Sequence, residues 1–382
     1  MSNAAVQLRV NERALVKNLK MAFSASDRTW LFELLQNARR AGATEVRLLS
    51  FPEEGRFVVE DNGAGITDFQ NLFSIAESGW AQEIKDSEGP YGMGFLSALF
   101  VAKKIKITSK GTRISFDTEH ALSFAEITSE QVDDDGRTRI HLQGMEKHTI
   151  PSREKINQWM YGFPIRVFLN GEELVRPHSL ENIQFRKHNG SLFHLQEENY
   201  PNFFYLQGLP VSSDSTSYGY IAHLDPTKFQ GRFPDRDELV DRDMSIYQIF
   251  CDFKEVEVGI LSKRLDVAIR GEQQPGFLDK YGEKIVKSEL FRDRLAEFDY
   301  LPKCLTFGTI ETSAMDGHYR QFSNVPVSKE DVESGNVLLF DWKNLISNED
   351  TKNMVFFQAA GVCQGSCRVS HFTLPIFRVA AG

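Results

Sequence analysis

The chain has 382 residues, a formal net charge of −9 and hydrophobic residues at 41% of its length. Because a single hydrophobic core rarely grows beyond about 250–300 residues, the length predicts at least two domains. The acidic balance argues against a broad nucleic-acid-binding or membrane-binding surface. No stretch approaches the roughly 18 apolar residues of a transmembrane helix, and residues 1–10 lack the apolar core of a signal peptide. Four cysteines are too few for a disulfide framework, so we expect a reducing, cytoplasmic setting.

The first predicted elements are an edge strand at residues 6–10, an amphipathic helix at 12–23 and a second helix at 30–41. Ser26 or Asp27 is expected to cap the second helix, and Gly42 suits the left-handed residue after its end. Glu33, Asn37 and Arg40 share one face of this helix, opposite an apolar face. A carboxylate one turn before a carboxamide indicates either a polar site or, taken alone, a solvated face.

Two antiparallel strands are predicted at residues 44–51 and 56–60, and the second runs into Asp61-Asn62-Gly63-Ala64-Gly65. The glycines let another group approach the backbone closely, and the Asp61 carboxylate can accept hydrogen bonds from the amino group of a base. An ordinary Asp-Asn-Gly turn is the alternative.

A glycine-rich loop follows a short helix predicted at residues 68–76. Residues 89–94 read Gly-Pro-Tyr-Gly-Met-Gly and open an apolar helix at 95–102, before a strand at 103–109. Free backbone N–H groups at a helix start favour phosphate binding. The loop is neither a Walker A motif, since no Gly-Lys-Ser/Thr follows, nor a dinucleotide fingerprint.

These three motifs, Glu-x-x-x-Asn, Asp-x-Gly-x-Gly and Gly-x-x-Gly-x-Gly, occur in a fixed order. Together they resemble the gyrase, heat-shock chaperone, histidine-kinase and MutL superfamily of ATP-binding domains. Within it, the likeness is greatest to the ninety-kilodalton heat-shock chaperones, and it extends over roughly residues 8–174. The stretches that carry this likeness are residues 71–79, 89–102, 136–142 and 161–165.

The resemblance implies an α+β fold of the Bergerat type, in which an antiparallel or mixed sheet carries helices on one face. It also implies a second, transducer-like α/β domain. We expect the first domain at residues 1–176, the second at 177–300 and a small mixed unit at 301–382. In the second domain we expect strands at 203–211 and 218–224 and a charged helix at 279–298.

The resemblance also assigns roles, with ATP and Mg²⁺ as cofactors. Glu33 is the implied general base, Asn37 the magnesium ligand, and Asp61 the acceptor for the adenine amino group, supported by Gly65 and Thr138. Asn71 is expected to face the ribose or phosphates. The other implied nucleotide contacts are Gly63, Ile66, Ser78, Gly79, Gly89, Tyr91, Gly92, Met93, Gly94 and Phe95.

The chain departs from the family pattern around the phosphates. Phe32 stands where the family has arginine, Trp80-Ala81-Gln82 where it has lysine, and Arg39 and Arg40 after Asn37, where it has aspartate. Phosphoryl transfer needs cationic stabilisation. We therefore expect the second domain to supply a cation, Lys228 or failing that Arg232, to the terminal phosphate, from a loop that also holds Arg236. A solvated loop is the alternative.

The leading functional hypothesis is a slow ATPase that acts as a chaperone-like conformational switch on an unknown protein client. The alternatives are a nucleotide-gated binding module with little hydrolysis and a MutL-like DNA-associated ATPase, although the net charge does not indicate DNA. An ATP-dependent homodimer is a further alternative, and no membrane partner is expected. A histidine kinase is disfavoured, because no histidine precedes His120.

The last part of the chain contains Cys363-x-x-x-Cys367-x-x-x-His371. This spacing is loose for zinc, and a fourth ligand such as Cys304 would be needed. Buried thiols are the alternative to a metal site.

Overall fold

The computed structural model describes residues 7, 11–23, 28–74, 94–196, 201–211, 219–232, 236–271, 274–288 and 290–301, with Glu330 and short strands between 309 and 372. The chain forms two compact units, residues 1–196 with 200–254, and residues 197–199 with 255–382. The predicted division at residues 176 and 300 stays a prediction. Among the described residues, no helix is long and apolar enough to cross a bilayer.

An eight-stranded sheet dominates the first unit. Its strands are β1 (Glu45–Phe51), β2 (Arg56–Asp61), β3 (Lys104–Ser109), β4 (Thr112–Asp117), β5 (Ser129–Gln131), β6 (Thr138–Gln143), β7 (Arg166–Leu169) and β8 (Glu172–Glu173). They lie in the order β5-β4-β3-β6-β2-β1-β7-β8. Every neighbouring pair is antiparallel except β1 and β7, which are parallel.

Helices cover one face of this sheet. They are α1 (Glu12–Phe23), α2 (Thr29–Arg40), α3 (Gln70–Phe73), α4 (Gly94–Val101), α5 (Thr118–Leu122) and α6 (Arg153–Trp159). Along β3, Ile105 and Ile107 are fully buried, whereas Lys104 is exposed on the opposite face. This alternation is typical of a sheet with one dry and one wet face. It confirms the predicted α+β sandwich.

Helix α2 is held at its end by a Schellman motif. The Gly42 N–H donates to the Arg39 carbonyl at 3.0 Å, and the Ala43 N–H donates to the Ala38 carbonyl at 3.0 Å. Gly42 has φ +71°, which confirms the predicted left-handed residue. At the other end, Arg28 occupies the N-cap position without a side-chain capping bond. The predicted caps, Ser26 and Asp27, lie outside the described residues.

A second, five-stranded sheet belongs to the same unit. Its strands are β9 (Arg186–His188), β10 (Ser191–Leu195), β11 (Phe203–Leu206), β12 (Leu209–Val211) and β13 (Tyr220–Leu224). They lie in the order β12-β11-β13-β10-β9. Gln207 and Gly208 both have positive φ, as in a two-residue type I′ hairpin turn. The prediction of one strand at 203–211 was therefore wrong, because this turn splits it into β11 and β12.

Two long helices follow, α7 (Arg242–Ile269) and α8 (Gln274–Lys287), and the first of them was not predicted. The charged helix predicted at 279–298 ends earlier, and a 3-10 helix at Arg292–Glu297 follows it. The described strands after it are β14 (Tyr300–Leu301), β15 (Thr309–Thr312), β16 (Tyr319–Phe322), β17 (Val327–Ser328), β18 (Val337–Asp341) and β19 (Arg368–Phe372). Cys304, Cys363 and Cys367 lie outside the described residues, so the zinc question stays open.

Candidate active site

Helix α2 brings the Glu-x-x-x-Asn motif against the start of α4. The Glu33 side chain is buried, and Gly94 lies directly beside its carboxylate. A β-carbon added at Gly94 would come within 2.3 Å of Glu33 Oε2. Glycine therefore permits this close approach, and the last residue of the glycine-rich motif contacts the first motif.

The Asp61 turn packs against the other end of α2. The Ala64 N–H donates to the Ala41 carbonyl at 2.7 Å, and a β-carbon at Gly63 would come within 2.8 Å of the Ala41 β-carbon. Asp61 itself is 8% exposed, and its Oδ1 accepts a hydrogen bond from the Gly63 N–H at 2.9 Å. The structure thus joins the second motif to the helix that carries the first.

Burial raises the pKa of the Asp61 carboxyl above its usual value, although the Gly63 hydrogen bond acts in the opposite direction. Within the described residues, the Gly63 N–H is its only hydrogen-bond donor. A carboxylate has about four acceptor positions. Most of the acceptor capacity of this buried group is therefore available to a ligand.

A short chain of two hydroxyl groups lies on β6 and β3, the next two strands of the sheet after the strand that ends at this carboxylate. Thr138 lies opposite Asp61 in the β2–β6 register. The hydroxyls of Thr138 and Ser109 are 2.9 Å apart, and the Ile66 N–H donates to Ser109 Oγ at 2.9 Å. Gly65 has φ +79°, and a β-carbon there would come within 3.1 Å of Ser109 Oγ. Thr138, Ile66 and Gly65 therefore meet around Ser109, and their contact with a nucleotide stays a prediction.

Ser109 was missed by sequence reasoning, although it is 1% exposed and central to this hydroxyl chain. It follows Ile105 and Ile107 on the buried face of β3. A hydroxyl at an inward position of an otherwise apolar strand is the signal that could have found it.

The second sheet and the loop after it also contact α2. Arg236 Nε lies 3.2 Å from Glu33 Oε1, and both side chains are largely buried. The Gln36 side-chain amide donates to the Gln207 carbonyl at 3.3 Å. A cavity of about 20 Å³ adjoins Glu33, Gln36 and Arg236, and it has room for about one water molecule.

The two predicted phosphate cations lie elsewhere. Lys228 is exposed, and Arg232 pairs with Glu238 at 3.0 Å. Sequence reasoning included Arg236 in this loop but did not single it out. The contact of Lys228 or Arg232 with a terminal phosphate stays a prediction. Phe32, in the place of the family's arginine, is buried edge-on to Trp159, with 5.2 Å between ring centroids.

The described oxygen donors do not fit a magnesium site of the kind that the resemblance implies. Asn37 Oδ1, the implied ligand atom, accepts a hydrogen bond from Arg40 Nη1 at 3.4 Å. The nearby Glu33 carboxylate is paired with Arg236.

Of the remaining predicted nucleotide contacts, the structure describes Asn71 and Phe95. Asn71 is exposed on α3, and Phe95 is buried in α4. The predicted contacts outside the described residues are Ser78, Gly79, Gly89, Tyr91, Gly92 and Met93.

Comparison with known proteins finds similarity over the part of the chain that carries Glu33, Asp61 and Thr138. Residues 26–154 match the family model described as histidine kinase-, DNA gyrase B- and HSP90-like ATPase. The chaperone protein HtpG of Shewanella sp. (strain ANA-3) is 31% identical over 156 residues, which cover 35% of this chain and 24% of that protein. HtpG of Shewanella oneidensis is also 31% identical, and HtpG of Shewanella baltica (strain OS155) is 30% identical, with the same coverage. This chain thus spans about a quarter of the length of these curated relatives.

Proposed function

We propose that the protein binds ATP and hydrolyses it slowly, from the premise that residues 26–154 match the family model of histidine kinase-, DNA gyrase B- and HSP90-like ATPases. The observation that carries the proposal is the buried Asp61 carboxylate, which has one hydrogen bond from Gly63 and further acceptor capacity. Such a group selects an amino-bearing base, because an unpaired buried acceptor is costly. Thr138 and Gly65 are assigned to the same part of the ligand, its base.

Hydrolysis is assigned to Glu33 as the general base. Its carboxylate adjoins the water-sized cavity and lies beside Gly94 at the start of α4. The Arg236 guanidinium holds one carboxylate oxygen. A base must reach the attacking water to within a hydrogen bond. The pairing with Arg236 and the absence of charge at Phe32 favour a low rate.

We further propose that nucleotide binding drives a conformational switch of the chaperone-like kind, with a protein client and, once ATP is bound, a second copy of the chain as partners. Two contacts support coupling between the ATP site and the second sheet with its loop. They are the ion pair of Glu33 with Arg236 and the hydrogen bond of Gln36 with Gln207.

The experiment that tests ATP binding is calorimetry of the full chain and of Asp61→Asn. Losing a charged acceptor for a buried amino group costs about 1.5–3 kcal/mol, so the variant should bind ATP at least tenfold more weakly. Asp117→Asn, an exposed carboxylate at the end of β4, is the matched control and should bind like the parent. Equal affinity of the parent and Asp61→Asn would remove Asp61 from the site.

A second candidate function is a nucleotide-gated binding module that hardly hydrolyses ATP. The arginines against Glu33 and Asn37 favour it, since they occupy groups that hydrolysis would use. Single-turnover hydrolysis separates the two functions. Retention of intact ATP over a period that far exceeds its binding half-life identifies the binding module.

A further inference from the structure

Arg40 lies beside Asn37, the residue that the resemblance implies as magnesium ligand. It lies one helical turn after Asn37, on the same face of α2, and its Nη1 donates to Asn37 Oδ1 at 3.4 Å. Both side chains are half-buried. The family resemblance expects an aspartate after Asn37, so a fixed positive charge stands in a region where a negative one is expected.

A magnesium ion bound to Asn37 Oδ1 would be about 2.0–2.1 Å from that oxygen. It would lie a few ångströms from the Arg40 guanidinium, which stays charged at any ordinary pH. Like charges at this separation repel strongly in a half-buried site. The other oxygen donor on this helix face, Glu33, already pairs with Arg236. The arrangement disfavours a divalent cation at Asn37.

The same arrangement suits a phosphate. A guanidinium presents planar, paired N–H donors that match phosphate oxygens, and it retains its charge without metal. Asn37 holds the Arg40 side chain in place, which lowers the ordering cost of binding. We propose that Arg40 supplies the positive charge beside the nucleotide phosphates, so that ATP binding depends little on Mg²⁺. This inference rests on the proposed function.

The test measures the affinity of the full chain for ATP by calorimetry, once with Mg²⁺ and once with EDTA. For the parent, the two dissociation constants should differ by less than about threefold, a difference of under 1 kcal/mol. Arg40→Gln should weaken binding in EDTA at least tenfold, because it removes a charged hydrogen-bond donor. Arg40→Asp should weaken it at least as much, and Mg²⁺ should restore part of the loss.

The matched control is Arg39→Gln, one residue earlier on the same helix, where Nε donates to Gln36 Oε1 at 2.8 Å. It should bind ATP in EDTA like the parent. Thermal melts without nucleotide report whether each variant folds. If an Arg40 variant does not fold, the parent's two affinities still decide the question.

Two results overturn the inference. One is parent binding that is lost in EDTA and restored by Mg²⁺, which leaves the proposed ATP binding intact. The other is an equal loss in the Arg39 and Arg40 variants, which indicates a general effect of helix charge. Failure of the parent to bind ATP in either buffer is a different result, because it overturns the proposed function itself.

Discussion

The base end and the phosphate end of the candidate site are built from different chemistry. At the proposed base end, Asp61, Ser109 and Thr138 are buried on neighbouring strands of the first sheet, and the two hydroxyls are hydrogen-bonded to each other. At the phosphate end, Glu33 and Asn37 are each held by an arginine, and Arg236 comes from beyond the second sheet. The base end lies within the matched domain, whereas part of the phosphate end is supplied from outside it.

This difference indicates which property each end controls. Groups fixed within one sheet recognise a ligand without large motion, because their neighbours are already in place. Groups held by charge pairs with another element must exchange partners when an anion arrives. Affinity for the base should therefore depend on the first sheet, and turnover and conformational coupling should depend on the arginines.

The largest expected effect comes from Glu33→Ala. It should spare ATP affinity while slowing hydrolysis by roughly 10²–10⁴-fold, the usual contribution of a general base. Single-turnover rates and calorimetry on the same preparation check both parts. Normal hydrolysis by this variant would assign the base to another group, or the activity to a contaminant.

A smaller effect is expected when the cations of the second region are removed. Small-angle scattering should show a more compact chain with ATP than with ADP, and Lys228→Ala combined with Arg232→Ala should erase this difference. Arg236→Ala should keep the difference and speed hydrolysis, since it releases the Glu33 carboxylate from its ion pair. A double variant that compacts and turns over like the parent would show that Lys228 and Arg232 are solvated surface groups.

The smallest expected effect is a pH dependence confined to the base end. Burial raises the pKa of the Asp61 carboxyl above the usual 3.8. Only the charged carboxylate accepts a hydrogen bond from the amino group of the base without a proton competing for its oxygens. Affinity for ATP should therefore be full at neutral pH and fall in acid, starting at a higher pH than for an unshifted aspartate. Asp61→Asn should lack this component, so the difference between the two calorimetric profiles reports it. Parallel profiles would contradict the assignment.

Local patterns predicted much of the first domain. The α2 helix, the Gly42 end and the β1–β2 pairing follow from periodicity and from single residues with special backbone freedom. The family resemblance of the three motifs implied that Glu33 and Gly94 belong to one site, and the structure places them in contact. Ser109 could have been found from its inward position in β3.

Long-range contacts could not be predicted in this way. Glu33 and Arg236 lie about two hundred residues apart, and three cations in one loop gave no reason to choose Arg236. The turn at Gln207 was also missed, because a non-glycine residue there adopts positive φ. In helix α7, apolar and polar residues do not separate onto opposite faces, so hydrophobic periodicity does not predict it.

The parallel pairing of β1 with β7 has a consequence for how much chain makes a stable fragment. Val46 and Leu48 lie opposite Val167 and Leu169, so β1 gains its second neighbour only from a segment beyond residue 154. A polypeptide cut where the family match ends would present β1 as an open edge, ready to add strands from other molecules. During synthesis the same edge stays unpaired until the ribosome has released β7. We therefore expect the smallest stable fragment of this domain to extend past residue 154, to the β7–β8 hairpin.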